Sequence, residues 1–371
     1  MAVPETIKAV VIEGDKPVVK SSVKTPKIGK EGLLIKVKAA AGNPTDWKQI
    51  AYKIGPQGAI SGCDLAGEVV ELGPEVELSE FQVGDTVFGF VHGASVKFPD
   101  NGAFAEYSAL DSKLAIKLPL KPANTSVVPE GPVTTFEAAA SLPISLFTAA
   151  AVIEGNFKNK QVWEPKEPQH DFPILIWGGA TGVGQFLIQL AKRFHGYTKI
   201  IAVASKKHEQ ILKEYGADEL FDYHDKDVIE HIKSRYPEIP HLVDAVSNED
   251  TIKQVYKVAA STKPARLVQL MTMSEENIPK ADRRSNVTID GTILYLATGH
   301  EVPLGPVTLP ASPEYRETII NFLKFIRPKL VSGEIHHIPI KVYKNGLEDV
   351  PEVLEAIKMG KNSGEKLVIA L

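Results

Sequence analysis

The chain has 371 residues, more than one hydrophobic core usually serves, so two domains are expected. It is 43% hydrophobic and 24% charged with a formal net charge of -4, and its Lys and Arg are scattered, which excludes the massed basic surface of a nucleic-acid binder. No apolar run reaches the ~20 residues of a membrane span, and the single cysteine, Cys63, excludes both an internal disulfide and a four-thiolate zinc site.

Met1 to Glu13 lacks the charged start and long apolar run of a secretion signal, so a cytoplasmic location is expected. The runs Ile7–Ile12, Leu33–Ala40, Leu65–Leu72, Thr86–Val91 and Phe104–Leu110 alternate or are apolar, and Gly, Pro and Asp clusters separate them. They predict a small β-rich barrel or sandwich. Pro119–Pro132 reads as a connecting loop, Thr134–Ser141 and Leu146–Glu154 as short helices, and the polar Asn159–Phe172 as a surface insertion. A βαβ rhythm follows. Strands are predicted at Ile174–Trp177, Ile200–Ala204, Glu219–Phe221, Leu242–Val246 and Leu267–Met271, with helices at Gln185–Phe194, Lys206–Tyr215, Lys226–Arg235 and Thr251–Ala259. Such alternation predicts an α/β domain with a doubly wound parallel sheet. The end of the chain predicts a helix over Glu314–Val331, a strand over Ile335–Val342, a helix over Leu347–Met359 and a closing strand over Lys366–Ile369.

The turn Gly178-Gly179-Ala180-Thr181-Gly182-Val183-Gly184 joins the first of these strands to its helix. Small residues there let backbone approach a pyrophosphate, and the helix start offers free N–H groups and a positive dipole end. Thr181 stands where a strict G-x-G-x-x-G wants glycine, so the βαβ context carries the assignment. Gly179, Ala180, Thr181, Gly182 and Val183 are therefore the expected dinucleotide contacts. About 20 residues further on, an acidic side chain would mark NAD by accepting from the ribose 2′-hydroxyl. The chain has Ser205, Lys206 and Lys207 instead, which suits a 2′-phosphate and puts NADPH ahead of NADH.

With these residues in view, the chain resembles the medium-chain dehydrogenase/reductase superfamily, in its zinc-free, quinone-reductase-like and enoyl-reductase-like branch. The resemblance spans nearly the whole chain. It is carried by Ala41-Gly42-Asn43-Pro44-Thr45-Asp46, Gly62-Cys63-Asp64-Leu65-Ala66-Gly67, Val83-Gly84-Asp85-Thr86-Val87, Gly102-Ala103-Phe104-Ala105-Glu106-Tyr107, the glycine turn, Tyr215-Gly216-Ala217-Asp218 and Gly364-Glu365-Lys366-Leu367-Val368. The Asn159–Phe172 insertion and the Gly178-Gly179-Ala180-Thr181 variant look most like fungal members, including trans-acting enoyl reductases that serve polyketide synthases. The resemblance implies a GroES-like catalytic domain built from residues 1–145 and 312–371, a Rossmann domain over 146–311, and a cleft between them. It also implies a homodimer, although trans-acting relatives can be monomeric.

Zinc-dependent relatives carry Cys in place of Asn43 and Gly-His-Glu in place of Gly62-Cys63-Asp64, with a third ligand near Ile144–Leu146. A catalytic zinc needs about three protein ligands, and these positions do not supply them, so no metal is expected. Gly299-His300-Glu301 spells the zinc triplet in the wrong context, and His336-His337 in a strand would point to opposite faces. No flavin motif is evident, so direct hydride transfer is expected. Asn43 is then a candidate to orient a carbonyl or the nicotinamide, against its ordinary role in an Asn-Pro turn, and Asp46 is a helix cap. The resemblance makes Tyr52 a candidate proton donor and Thr148 a contact to the nicotinamide ribose. It also places Tyr223 by the 2′-phosphate and Val246 and Leu270 beside the nicotinamide. The expected activity is reduction of an activated C=C or C=O bond: an enoyl, enone, quinone or reactive aldehyde. Two alternatives stand beside it, a nucleotide-binding structural or regulatory protein with weak turnover, and an enoyl-reductase partner of a synthase.

Overall fold

The computed structural model describes residues 3–371, in two compact units. One comprises the chain up to Ile144 together with Tyr295–Leu371, and the other is Ser145–Leu294. Among the described residues no helix is long and apolar enough to cross a membrane.

The unit Ser145–Leu294 is built on a six-stranded parallel sheet in the order Glu219–Phe221, Ile200–Val203, Ile174–Trp177, His241–Asp244, Ala265–Gln269, Val287–Gly291. Counted along the chain this is 3-2-1-4-5-6, the doubly wound Rossmann order. Ile174–Trp177 is buried along its whole length, as a strand covered by helices on both faces must be, and this explains its unbroken apolar run. Val287–Gly291 is a strand that periodicity did not reveal. It lies at the sheet edge, and its alternate residues are polar, with Asp290 paired to Arg266 at 3.2 Å.

The expected helix Leu146–Glu154 is an α-helix over Pro143–Ala150 that widens into a π-helical stretch, Ala151–Asn156. The Lys206–Tyr215 helix opens with a 3₁₀ turn, Lys206–His208, before the α-helix Glu209–Tyr215. The insertion 159–172 has no regular secondary structure, and it is tied down by backbone bonds from Gln169 to His195 and from His170 to Gly196. Its His170 and Phe172 rings pack on Tyr197 and His241, and Phe157 stacks on His241 at 4.2 Å. Tyr197 donates to Asn159 Oδ1 and also meets His241 Nδ1 at 3.0 Å.

In the other unit, a sheet joins both chain ends. Its order is Ala115–Lys117, Thr86–Phe90, Asp64–Leu72, Gly32–Ala41, Lys366–Ala370, Ile340–Tyr343, Val127–Val128, with Tyr107–Asp111 also paired to Gly32–Ala41. A hairpin of Thr6–Glu13 and Lys16–Lys24 turns at Gly14 (φ +65°). Lys16–Lys24 escaped the sequence pattern because it is largely exposed and lysine-rich. Inward residues such as Val10, Leu33, Ile35, Leu65, Phe104 and Ile369 form one core. Of the adjacent histidines, His337 is buried and bonded to the Ile338 carbonyl, while His336 meets Glu130 at 2.6 Å; the strand itself begins at Ile340. Residues 295–311 belong to this unit, whereas the resemblance implied a Rossmann domain over 146–311. Their side chains and backbone explain the difference: Tyr295 bonds to Thr45, and Arg316 binds both Asp111 and the Ala297 carbonyl.

Burial lowers His241 to about 3, with His170 and Arg266 adding to the shift, so its ring is neutral in the folded chain. The unfolded chain takes up this proton as pH falls through the ordinary histidine range near 6.5, whereas the folded chain does not. The contribution is therefore present above that range and is lost as pH drops toward about 3. The urea midpoint should fall between about pH 7.5 and about pH 5.5, and His241→Phe should flatten that fall; an unchanged slope would remove His241 as a cause.

Candidate functional site

One candidate region is the glycine turn of the Ser145–Leu294 unit. It follows Ile174–Trp177, the strand lying between the second and fourth in chain order. Ligands of open α/β sheets bind beyond the strand ends at such a switch point. Gly178 has φ +81°, which side chains rarely adopt. A Cβ at Gly184 would lie 2.2 Å from the Gly178 carbonyl oxygen, so only glycine lets the helix Gly182–Arg193 start this close to the strand. Thr181 is the helix N-cap: its Oγ1 accepts from the Gly184 N–H at 3.0 Å and donates to the Gly178 carbonyl at 2.8 Å. The departure from the strict glycine pattern is thus a cap that closes the turn. Gly182 and Val183 are the first two residues of the helix, whose N–H groups lack intrahelical acceptors. Ala180 to Val183 are half-buried and Gly179 is buried. A cradle that admits no added Cβ at Gly184 and opens on a 12-residue helix fits a dinucleotide pyrophosphate.

The other expected cofactor residues lie at the same ends of neighbouring strands. Ser205 is half-buried, and Lys206 and Lys207 are exposed. The Lys206 N–H donates to Asp222 Oδ2 at 2.9 Å, which joins the ends of the second and third strands. Asp222 also accepts from the His224 N–H and meets the His224 ring, and these bonds hold its carboxyl below the usual range. Tyr223, 49% exposed, packs on His224 at 4.1 Å. Val246 follows the fourth strand and touches the turn closely enough that a Cβ on Gly178 would sit 2.7 Å from it. Leu270, after the fifth strand, donates its N–H to Ser247 Oγ at 2.7 Å. Thr148 is buried on the helix Pro143–Ala150.

A separate candidate region is a buried polar cluster in the unit made of the two chain ends. Sheet register builds it. Ala41 pairs with Val368 on one side and with Asp64 on the other. Two residues past Ala41 comes Asn43, and two before Val368 comes Lys366, so the antiparallel register brings them together. Lys366 Nζ donates to Asn43 Oδ1 at 2.5 Å and lies 3.1 Å from Asp64 Oδ2. Asn43 Nδ2 donates to Asp64 Oδ2 and to the Ala41 carbonyl, and Asp64 Oδ1 accepts from the Ile144 N–H. All three side chains are buried. Burial pushes the Asp64 carboxyl up, and the Lys366 ammonium works against it.

Asn43 also ends the strand and begins the helix Pro44–Ala51, where Asp46 Oδ2 accepts the Asn43 N–H at 2.8 Å. Burial, with Asp64 nearby, raises Asp46 to about 7. Burial likewise pushes the Cys63 thiol well above its ordinary range. Beside these groups lies Tyr295, whose hydroxyl bonds to Thr45 and approaches Cys63 Sγ at 3.8 Å. Tyr52 is different: it caps the end of the helix, is 57% exposed and meets Trp47 edge-on at 6.0 Å. His300 packs on Phe98, with no part in the cluster's hydrogen bonds. Among the described residues, no group of three or more His, Cys, Asp or Glu side chains could hold a metal ion.

Sequence reasoning quoted Lys366 only as part of an ending motif and missed Tyr295 altogether. A lysine flanked by apolar strand residues was the available signal for the first; nothing local marks the second.

Two family models match this chain, one described as an alcohol dehydrogenase GroES-like domain over residues 29–120 and one as a zinc-binding dehydrogenase over residues 182–303. An uncharacterised protein of Saccharomyces cerevisiae, YNL134C, is 58% identical, over 100% of this chain and 99% of its own. The trans-enoyl reductase caaB of Aspergillus niger is 31% identical, over 100% of this chain and 98% of its own. Among solved structures, the quinone oxidoreductase of Coxiella burnetii superposes with a TM-score of 0.66 at 24% identity, covering 99% of this chain and 98% of that one. The two units are thus a GroES-like domain and a Rossmann domain.

Removing one member of a buried ion pair strands the other. Lys366→Met should therefore lower stability by about 3 kcal/mol in urea unfolding. Adding Asp64→Asn should recover part of that loss, because the orphaned charge goes too. Additive losses in the double variant would show that the pair is not coupled.

Proposed function

We propose that this chain, a member of the medium-chain dehydrogenase/reductase superfamily related to fungal trans-enoyl reductases, is an NADPH-dependent, zinc-independent reductase of an activated C=C or C=O bond. The observation that carries this reading is the glycine turn at the sheet's switch point, with lysines in place of an acidic residue after the second strand. Gly179 to Val183 would hold the pyrophosphate, and Ser205, Lys206, Lys207 and Tyr223 the 2′-phosphate. Val246 and Leu270 would flank the nicotinamide, and Thr148 would serve its ribose. NADPH, when bound, supplies the hydride.

The chain's own residues must meet the charge that develops as hydride arrives. Asn43 has its amide committed to Lys366, Asp64 and Ala41, so its role is to fix the geometry of the helix start rather than to reach outward. Tyr52 is exposed and free to approach a substrate. Zinc independence is supported by the chemistry of the set: Asn43 and Asp64 are already bonded to an ammonium, and Cys63 is held as a neutral thiol. The whole-length likeness to a trans-enoyl reductase favours enoyl substrates, including carrier-bound ones.

Three measurements check this. Lys206→Glu should weaken NADPH about tenfold while leaving NADH within about twofold; equal losses would remove Lys206 from phosphate recognition. Metal analysis of the purified protein should find well under one zinc per chain, and a stoichiometric ion would overturn zinc independence. With cinnamaldehyde and NADPH, hydrocinnamaldehyde would identify C=C reduction and cinnamyl alcohol C=O reduction. No NADPH oxidation across enones, quinones, aldehydes and pantetheine-linked enoyl groups would instead favour the regulatory reading.

A further inference from the structure

Ser247 is held in the left-handed backbone region, φ +58°, which strains an L side chain and leaves glycine unstrained. It lies in the Ser145–Leu294 unit, directly after Val246, in the turn that follows the strand His241–Asp244. The parallel ladder between this strand and Ala265–Gln269 runs as far as the pair Asp244 and Gln269. Beyond that pair the two strand ends are tied through the serine: the Leu270 N–H donates to Ser247 Oγ at 2.7 Å. The same hydroxyl donates to the Asp244 carbonyl at 2.5 Å, so it is used both as donor and as acceptor.

Asp244 fixes the rest of this turn. Its buried carboxyl group accepts from the Ser247 N–H at 2.8 Å, the Val246 N–H at 3.1 Å and the Thr251 hydroxyl at 2.7 Å. The Ala245 N–H donates to the Trp177 carbonyl, and the Val246 side chain lies against Gly178 of the glycine turn. A strained backbone persists only where its surroundings over-determine it, and such positions gather at functional sites. Glycine would make the same turn without strain. What glycine lacks is the hydroxyl, and what the hydroxyl holds is the spacing between the residues Val246 and Leu270.

We propose that Ser247 is a positioning residue for the nicotinamide, setting the spacing of the fourth and fifth strand ends so that Val246 and Leu270 receive the ring as a pair. The inference rests on the reductase reading above, which sets those two residues beside the nicotinamide. Ser247 acts through them: its hydroxyl holds the Leu270 backbone, and its own backbone continues from Val246. Its influence is confined to the nicotinamide end of the cofactor. The pyrophosphate and the 2′-phosphate fall to the glycine turn and to Ser205, Lys206 and Lys207, which follow other strands. Without the hydroxyl, the Leu270 N–H loses its acceptor and the end of the fifth strand is released from the fourth.

The test measures binding of two ligands to the full chain: NADPH, and 2′-phosphoadenosine diphosphoribose, which lacks the nicotinamide. Ser247→Gly removes the hydroxyl and accepts the left-handed backbone, whereas Ser247→Ala removes the hydroxyl and keeps the strain. Both should weaken NADPH about fivefold, the usual effect of one lost hydrogen bond, and leave the truncated nucleotide within about twofold. The emission of the bound dihydronicotinamide should shift in both variants, because the surroundings of the ring loosen. In urea, Ser247→Gly should keep a midpoint close to that of the wild type, since the strain relieved offsets the bond lost. A binding loss in that variant is then not a folding loss. Unchanged NADPH affinity in Ser247→Gly, or an equal loss of both ligands, would overturn the positioning role while leaving the reductase reading intact. A wild type that binds neither nucleotide would overturn both.

Discussion

Two antiparallel registers meet at Ala41, and the architecture of one unit depends on that meeting. Val368 pairs with it from the chain's last strand and Asp64 from the strand that follows in sequence. The consequence is a buried ammonium beside a buried carboxylate, with Asn43 bonded to both. Neither charge could be left dry alone, because an unpaired buried ion is far costlier than a paired one. The pair therefore makes the first and last parts of the chain interdependent: each supplies the counter-charge that the other's burial requires. A slip of one residue in either strand would turn Lys366 to the other face of the sheet.

That arrangement has an effect on the neighbouring chemistry. Asn43 is locked, so the helix Pro44–Ala51 starts from a fixed point, and Asp46 returns to cap it. From that start, Thr45 and Gln49 are delivered to the Tyr295 hydroxyl. Burial selects the neutral forms of Cys63, His92 and Tyr295. The result is a region with many hydrogen-bonding protons and one compensated ion pair.

The Rossmann unit obeys a steric constraint instead. Its turn works because Gly184 lets helix and strand approach where a single methyl group would collide with a carbonyl oxygen. Thr181 occupies a position at which many such turns use glycine, and it contributes a two-way cap in exchange. Backbone position, more than side-chain identity, is what fits this turn to the proposed pyrophosphate.

Much of this was legible in the sequence because it is local. The βαβ rhythm, the turn and the lysines after the second strand are each set by residues adjacent in the chain, so periodicity and spacing reveal them. Strands such as Glu219–Phe221 were placed to the residue, whereas the polar edge strand Val287–Gly291 and the exposed hairpin strand Lys16–Lys24 carry no apolar signature. What only the tertiary structure decided is long-range: Lys366 meets Asn43 across 323 positions, and Tyr295 meets Thr45 across 250. Nothing in the residues around Tyr295 states that its hydroxyl will face a threonine rather than water. Strand register and ring packing make that choice, and they exist only once distant segments have closed on one another.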